Sequence, residues 1–170
     1  ATKSVTKHTT EFGMGNDIAD FDNDGHLDIV AVDMLPEDHK RLLGHMGSQS
    51  VYSPLFDSTQ LMRNILLKNR GNGTFADIAF LSGIAETDWS WACLLEDLDQ
   101  DGYKDLYIAN GYKRDVSNLD VINNFSRTSM DQVSAIKLVP TTRLQNYAFR
   151  NNGNLTFSKI TDQWGFSQVI

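Results

Sequence analysis

The sequence has little cysteine, little positive charge and no long apolar runs. Cys93 is the only cysteine among 170 residues, so no disulfide can form within the chain. Its place in the strand-like run WSWACLLED favours a buried core thiol over a reactive one. No apolar stretch approaches the length of about 20 residues that a membrane-spanning helix needs, so we expect no transmembrane segment. The N-terminal ATKSVTKHTT lacks the apolar part of a signal peptide, so we expect the chain to be processed or internal to a longer protein.

The scarcity of lysine and arginine excludes one class of partner. The formal net charge is −7 and the sequence pI is near 4.9, whereas a nucleic-acid-binding domain would need a basic face. The chain also lacks GxSxG, HExxH and P-loop motifs. His39 and His45 lie six positions apart, which does not place them on one helix face as metal ligands. No familiar catalytic class is indicated.

Aspartate is instead concentrated in two matching stretches, residues 20–28 (DFDNDGHLD) and 97–105 (DLDQDGYKD). Each follows the pattern D-x-D-x-D-G-x-x-D, whose crowded carboxylates call for a hard cation, and calcium accepts such oxygen ligands in flexible geometry. We therefore predict two calcium sites with carboxylate ligands and, after each glycine, a carbonyl ligand. The predicted ligands are Asp20, Asp22, Asp24, His26 and Asp28 in the first loop, and Asp97, Asp99, Asp101, Tyr103 and Asp105 in the second.

A plain surface turn and an EF-hand both account less well for these loops. Aspartate and glycine are ordinary turn residues, but a surface turn does not require three alternating aspartates and a fourth at fixed spacing, twice. An EF-hand needs glutamate at loop position 12, where this chain has Ala31 and Ile108. The runs LDIVAVDM and KDLYIAN that follow the loops predict strands, not an exiting helix.

A second motif also occurs twice, as NILLKNRGNGTFADI from Asn64 and NYAFRNNGNLTFSKI from Asn146. Each copy predicts a strand, an Asn/Gly turn and a second strand. These two strands and the two strands that flank each acidic loop together make a four-stranded unit. Such a unit is typical of a propeller blade. We expect an all-β fold, a partial β-propeller of about two four-stranded blades with calcium loops and short helical insertions.

Residues 1–170 are expected to form part of one β-propeller domain. The predicted segments are the second half of a blade (12–33), an insertion (34–62), a complete blade (63–110), a second insertion (111–143) and the first half of the next blade (144–170). A propeller closes with four to eight blades, so we expect the remaining blades to come from a longer parent chain or from another chain.

The two insertions are the expected binding face, because equivalent positions in a repeat lie on one side. Residues 36–38 (PED) suit a helix start, and residues 129–132 (SMDQ) form a capping-box pattern. Basic residues of the insertions could hold an anionic glycan or an acidic partner, or could simply be solvated: Lys40, Arg41, Lys113, Arg114 and Arg143. Trp89 and Trp91 share one strand face, where packing between blades is favoured over a carbohydrate-stacking platform.

Four segments carry a resemblance to a known family: GMGNDIADFDNDGHLDIVAVDMLPED, NILLKNRGNGTFADI, TDWSWACLLEDLDQDGYKDLYIANGYKRD and NYAFRNNGNLTFSKITDQWGF. The chain resembles the FG-GAP/VCBS repeat proteins, and within them the cartilage-acidic-protein-like branch common in Bacteroidetes surface and secreted proteins. The resemblance implies a calcium-stabilised β-propeller, similar in architecture to the integrin α-subunit head, and a longer parent protein. It implies no substrate.

The expected function is a non-catalytic calcium-binding module in an extracellular, cell-surface or periplasmic location. Its partner, a protein or a glycan, is expected to bind through 34–62 and 111–143. One alternative is a calcium-dependent carbohydrate-active enzyme resembling a polysaccharide lyase, for which Lys113, Arg114 and Asp115 form the only local cluster. Another alternative is a scaffold component of a cell-surface assembly.

Overall fold

The computed structural model describes residues 2–44, 59–112, 114–115, 118–121, 123, 134 and 137–167. Among these residues, three short helices have defined bounds: α1 (Thr2–Val5), α2 (His39–Gly44) and α3 (Ala79–Ser82). The strands are β1 (Thr9–Thr10), β2 (Gly15–Ala19), β3 (Asp28–Val32), β4 (Gln60–Leu61), β5 (Ile65–Asn69), β6 (Phe75–Asp77), β7 (Ser90–Glu96), β8 (Asp105–Asn110), β9 (Tyr147–Asn151) and β10 (Phe157–Lys159). The described chain is mostly strand, which agrees with the predicted all-β class.

Eight of the strands form two antiparallel four-stranded sheets with the same simple topology. The first sheet has the order β2-β3-β5-β6 and the second the order β7-β8-β9-β10. The remaining strands, β1 and β4, form a small parallel pair. Within the described residues the sheets form neither a closed barrel nor a propeller.

The sheet limits differ from the predicted blade limits. The predicted unit 63–110 spans parts of two sheets, because the hairpin β5–β6 pairs with β3 and not with a later strand. Ile29 lies opposite Leu67 and Ala31 opposite Ile65, so pairing occurs across the first insertion. Each sheet therefore begins with the hairpin that carries an acidic loop and ends with the hairpin that carries an Asn/Gly turn. The described residues form two such four-stranded units.

The main hydrophobic core lies between the two sheets. Alternate residues of β3 point into it, since Val30 and Val32 are fully buried, as expected for a strand with one covered face. The ring of Phe21, in the loop between β2 and β3, stacks on that of Phe157 in β10, with centroids 5.9 Å apart. The other large buried members include Leu66, Ile84, Leu95, Leu106, Ile108, Tyr147 and Phe149.

The first strands of the two sheets, β2 and β7, lie side by side. The Asp17 carboxylate accepts a hydrogen bond from the Leu95 N–H at 2.8 Å. A Cβ at Gly15 would lie 2.6 Å from the Trp91 carbonyl oxygen, so only glycine permits this close approach of the backbones.

The acidic loops and the insertions lie at opposite ends of the strands. β3 and β8 each begin with the last aspartate of an acidic loop, at Asp28 and Asp105, and run towards an insertion. α2 follows the predicted start at 36–38, and the Asp38 side chain accepts the Arg41 N–H at 2.9 Å, as a helix cap does. The capping-box segment 129–132 lies outside the described residues. No helix in the described part of the chain is long and apolar enough to span a membrane.

Candidate metal centres and a cavity at the insertion face

The first acidic loop is closed by local hydrogen bonds from backbone to carboxylate. Asp20 accepts the N–H groups of Asp24 and Gly25 at 3.0 and 2.9 Å. Asp24 in turn accepts the His26 N–H at 2.9 Å. Gly25 has φ of +86°, a conformation that glycine adopts without strain. This folding gathers carboxylate oxygens of Asp20, Asp22 and Asp24 within 4.8 Å of one another.

The second acidic loop has the same hydrogen bonds at the equivalent positions. Asp97 accepts the N–H groups of Asp101 and Gly102, both at 3.0 Å, and Asp101 accepts the Tyr103 N–H at 3.0 Å. Here the carboxylate oxygens that lie within 4.8 Å of one another belong to Asp97, Asp99 and Asp105. The two groups therefore differ in one member, Asp24 in the first loop and Asp105 in the second.

The closing aspartates tie each acidic loop to the neighbouring strand. Asp28 accepts the Phe21 N–H at 3.2 Å and the Asn69 N–H at 2.7 Å. Asp105 likewise accepts the Asn151 N–H at 2.9 Å, and also the Leu98 N–H. Both carboxylates are fully buried, and burial raises their pKa above the ordinary aspartate value.

The donor sets of both loops suit a calcium ion. Calcium binds oxygen ligands at about 2.3–2.6 Å, so two oxygens on one ion lie at most about 5 Å apart. The carboxylate groups of Asp20, Asp22 and Asp24, and those of Asp97, Asp99 and Asp105, satisfy this limit at 4.8 Å. These six residues could hold two metal ions. Asp28 and Asp101 do not fall within these groups in the structure.

Two cationic side chains neutralise the acidic loops, and sequence reasoning missed both. Lys68 forms ion pairs with Asp22 and, at 2.6 Å, with Asp24. At the equivalent position of the second unit Arg150 forms ion pairs with Asp99 at 2.8 Å and Asp101 at 3.2 Å. The hydrogen bond from Lys68 lowers the pKa of Asp24. The sequence did contain a signal for them, because a basic residue precedes the aligned asparagine in both copies of the second motif.

The predicted carbonyl donors have a further contact that sequence reasoning did not foresee. The His26 ring lies against Gly71, where a Cβ would approach its Nε2 to 2.5 Å. The Tyr103 ring lies against Gly153 in the same way, with a Cβ–ring distance of 3.1 Å. Each acidic loop is thus packed on the Asn/Gly turn of its own sheet. The φ of +68° at Gly71 favours glycine at this position.

The two acidic loops are also neighbours. The Asn23 side chain of the first loop donates to the Gly102 carbonyl of the second at 3.0 Å. Asn151 donates to the carbonyls of Phe21 at 2.8 Å and Lys104 at 2.9 Å, one in each loop region. Hydrogen bonds between units therefore hold the two candidate metal centres at one edge of the structure.

The opposite end carries a cavity of about 210 Å³, which we call the insertion-face cavity. Its lining comes from the first insertion, the end of β8 and the segment leading into β9. The described lining residues are Glu37, Asp38, Arg41, Asp88, Asn110, Arg143, Leu144, Gln145 and Tyr147. Arg41 pairs with Asp88 at 3.1 Å and donates to the Tyr112 hydroxyl at 2.9 Å. Asp88 is buried, which raises its pKa.

The cysteine and the tryptophans singled out in the sequence have simpler surroundings. Cys93 packs against the core, and desolvation raises its pKa to about 12, so the thiol is not activated, as predicted. Trp91 is 47% exposed, which corrects the prediction that it packs between blades; Trp89 is only half-buried. The Trp91 Nε1–H donates to the Gly111 carbonyl, and this bond holds the ring at the surface. The ring of Trp89 contacts Tyr112 at 4.5 Å between centroids.

Two residues of the cluster considered for a lyase, Arg114 and Asp115, are described, and both form hydrogen bonds within the fold. Arg114 donates to the Val139 carbonyl at 3.0 Å, and Asp115 accepts the Tyr112 hydroxyl at 2.5 Å. Lys113 lies outside the described residues, as does His45. The Asp115 carboxylate also lies 4.0 Å from the Arg41 guanidinium, so this acidic group already has described partners.

No family model, no curated protein and no solved structure matches this chain. The geometry of the acidic loops and of the insertion-face cavity is therefore the basis for any functional assignment.

Proposed function

We propose that the chain is a calcium-stabilised, non-catalytic binding module built from FG-GAP/VCBS-type propeller units and working outside the cell. The observation that carries this proposal is the duplicated acidic loop. Asp20 and Asp97 each accept the backbone N–H groups of the residues four and five positions later in the chain, so the two loops have the same hydrogen bonds. A turn without a ligand would not need the additional carboxylates that both loops gather.

Calcium would neutralise the repulsion between the gathered carboxylates. In the first centre Asp20, Asp22 and Asp24 would hold it, and in the second Asp97, Asp99 and Asp105. Because both loops contact the neighbouring sheet, the ion would stabilise the junction between units as well as each loop. The partner, a protein or a glycan, would bind at the insertion face, which lies away from the metal centres.

Calcium calorimetry together with thermal unfolding of the chain tests this proposal. We expect two binding events and a rise of Tm with calcium that EDTA reverses, since a ligand at 100 times its Kd stabilises by about 2.7 kcal/mol. Asp22→Asn and Asp99→Asn should each remove or weaken one event. Asp162→Asn, at an exposed aspartate outside both loops, should leave both events unchanged. Absence of binding heat, with a Tm indifferent to EDTA, would refute the proposal.

The scaffold alternative uses the same metal centres but no ligand at the insertion face. It predicts calcium binding and co-purification of the parent protein with neighbouring surface proteins, without affinity for any glycan. A titration with neutral glycosides separates the scaffold from a glycan-binding module, since only the latter binds them.

A further inference from the structure

The insertion-face cavity retains two buried polar atoms that the fold leaves without a partner. Asn110 is 3% exposed, and its side-chain oxygen has no hydrogen-bond partner among the described residues. The Nε of Arg41 is also buried and has none among them. Both residues line the cavity. An acceptor and a donor thus remain unused on one concave site, which is unusual because buried polar atoms are nearly always paired.

Further hydrogen bonds hold these two side chains in place. The Asn110 backbone N–H donates to the Asn146 side chain at 2.9 Å, and its side-chain amide donates to the Thr87 carbonyl. One guanidinium nitrogen of Arg41 is shared between Asp88 and Tyr112. The two side chains are therefore already ordered, so a ligand that reaches them would not have to immobilise them.

The charges at the cavity are balanced, because Lys159 also pairs with Glu37 at 2.7 Å, and this balance favours a neutral ligand. The described lining has three carboxylates, Glu37, Asp38 and Asp88, and two guanidiniums, from Arg41 and Arg143. The lining side chains carry donor nitrogens and acceptor oxygens in similar number, which suits a ligand that both donates and accepts hydrogen bonds. An ammonium group can only donate and a carboxylate can only accept, whereas a hydroxyl does both.

We propose that the insertion-face cavity binds the hydroxyl groups of one neutral sugar residue. The inference rests on the proposed function, which places binding at the insertion face, and it narrows the partner from a protein or glycan to a neutral glycan. Sugar hydroxyls would donate to Asn110 Oδ1 and to the carboxylates, and one would accept from Arg41 Nε. The volume of about 210 Å³ is below the roughly 300–1,000 Å³ of pockets for drug-sized ligands, so a single ring is the fitting unit.

Nuclear magnetic resonance of the full chain tests the inference. Methyl α-glucoside, methyl α-mannoside and methyl α-galactoside would be titrated separately, with glucuronate as the anionic probe and methylammonium as the cationic probe. We expect at least one neutral glycoside to shift the side-chain amide signal of Asn110 and the Nε–H signal of Arg41 in a saturable manner. Glucuronate and methylammonium should leave both signals in place.

Variants connect these shifts to the cavity. Asn110→Leu should weaken glycoside binding at least tenfold. Arg143→Ala should weaken it at least threefold, and because Arg143 is exposed this variant does not disturb the core. Gln163→Leu, on an exposed turn outside the cavity lining, is the matched control and should bind as the parent chain does. If Asn110→Leu fails to fold, Arg143→Ala still decides the outcome.

Three results would overturn the inference: no neutral glycoside shifts the two signals, only a charged probe shifts them, or Arg143→Ala binds glycoside with unchanged affinity. Repeating the titrations with calcium and with EDTA keeps this inference distinct from the proposed function. Calcium binding without glycoside shifts refutes only the sugar site. Glycoside shifts without calcium binding refute the metal centres.

Discussion

The side chain of Asn151 in β9 donates a hydrogen bond of 2.8 Å to the main-chain carbonyl of Phe21, 130 residues earlier in the chain. The same amide donates to the Lys104 carbonyl at 2.9 Å, and its oxygen accepts the Gly153 N–H at 3.0 Å. Asn151 thus joins its own Asn/Gly turn, the second acidic loop and the first acidic loop. Asn69 holds the equivalent position in the first sheet and bonds only within that sheet, to Leu27 and Gly71.

Replacement of Asn151 by alanine should destabilise the chain by about 2–4 kcal/mol, because it removes three hydrogen bonds and leaves buried carbonyls unsatisfied. Asn69→Ala is the matched control and should cost about 1 kcal/mol, because its hydrogen bonds are exposed to solvent. Urea unfolding at constant calcium measures both. Equal losses for the two variants would show that the bond to Phe21 contributes nothing.

The stacking of Phe21 on Phe157 gives a second prediction about the junction between the sheets. Phe21 is fully buried there, whereas its equivalent in the second acidic loop, Leu98, is 37% exposed. Phe21→Ala should therefore cost about 3–5 kcal/mol, as expected for a buried phenylalanine. Leu98→Ala should cost about 1 kcal/mol or less, because much of its side chain remains in water. Unfolding curves that show similar losses would contradict this packing.

The acidic loops were predictable from the sequence because their geometry is local. Asp20 bonds to the N–H groups of Asp24 and Gly25, so the spacing of the motif already contains the contact. The strands after each loop were predictable for the same reason, since β-branched and aromatic residues follow directly. The limits of the sheets were not predictable, because β3 pairs with β5 across the first insertion. The pattern of strand residues does not show which strands pair across it.

The residues missed by sequence reasoning act through contacts that are distant in the chain. Lys68 reaches Asp22 and Asp24 only because β5 pairs beside β3. Asn110 and Arg41 come to one cavity from a strand end and an insertion helix. Lys68 stands in the second motif and Arg41 among the basic residues of the first insertion, but tertiary structure was needed to find their partners and the role of Asn110.

The ion pairs of Lys68 lead to a prediction about metal affinity. Its ammonium group lies on carboxylates that calcium would use, so it competes with the ion for the same charge. Lys68→Met should tighten calcium binding at the first centre roughly three- to tenfold, since a partly exposed ion pair is worth about 1 kcal/mol. Arg150→Met should do the same at the second centre, as measured by calorimetry.

The matched control for these variants is Lys159→Met, because Lys159 pairs with Glu37 at the insertion face, away from both loops. It should leave both calcium affinities within about twofold, since charges separated by more than a Debye length are largely screened. Weaker calcium binding by Lys68→Met would mean that the lysine helps to assemble the centre and does not compete with the ion.

The buried carboxylate of Asp33 gives a prediction about pH. It accepts the Phe12 N–H at 2.9 Å and the Met34 N–H at 2.7 Å, yet burial raises its pKa above the ordinary value of 3.8. The folded chain therefore holds this proton at a pH where the unfolded chain has lost it. The resulting stability is fully present below pH 3.8 and is lost as the pH rises through the raised pKa of the folded state.

Asp33→Asn, which installs the residue found at the equivalent position of the second unit, Asn110, should abolish this dependence. Urea unfolding of both proteins from pH 3.5 to pH 7.5 at constant calcium measures the difference in their free energies of unfolding. We expect the parent chain to lose stability relative to Asp33→Asn as the pH rises, because only the parent must bury a charge. The acidic loops are identical in the two proteins, so their titration cancels in the difference. A difference that is independent of pH would show that Asp33 keeps an ordinary pKa in the fold. A parent chain that gains stability relative to Asp33→Asn as the pH rises would show that the hydrogen bonds to the Asp33 carboxylate lower its pKa more than burial raises it.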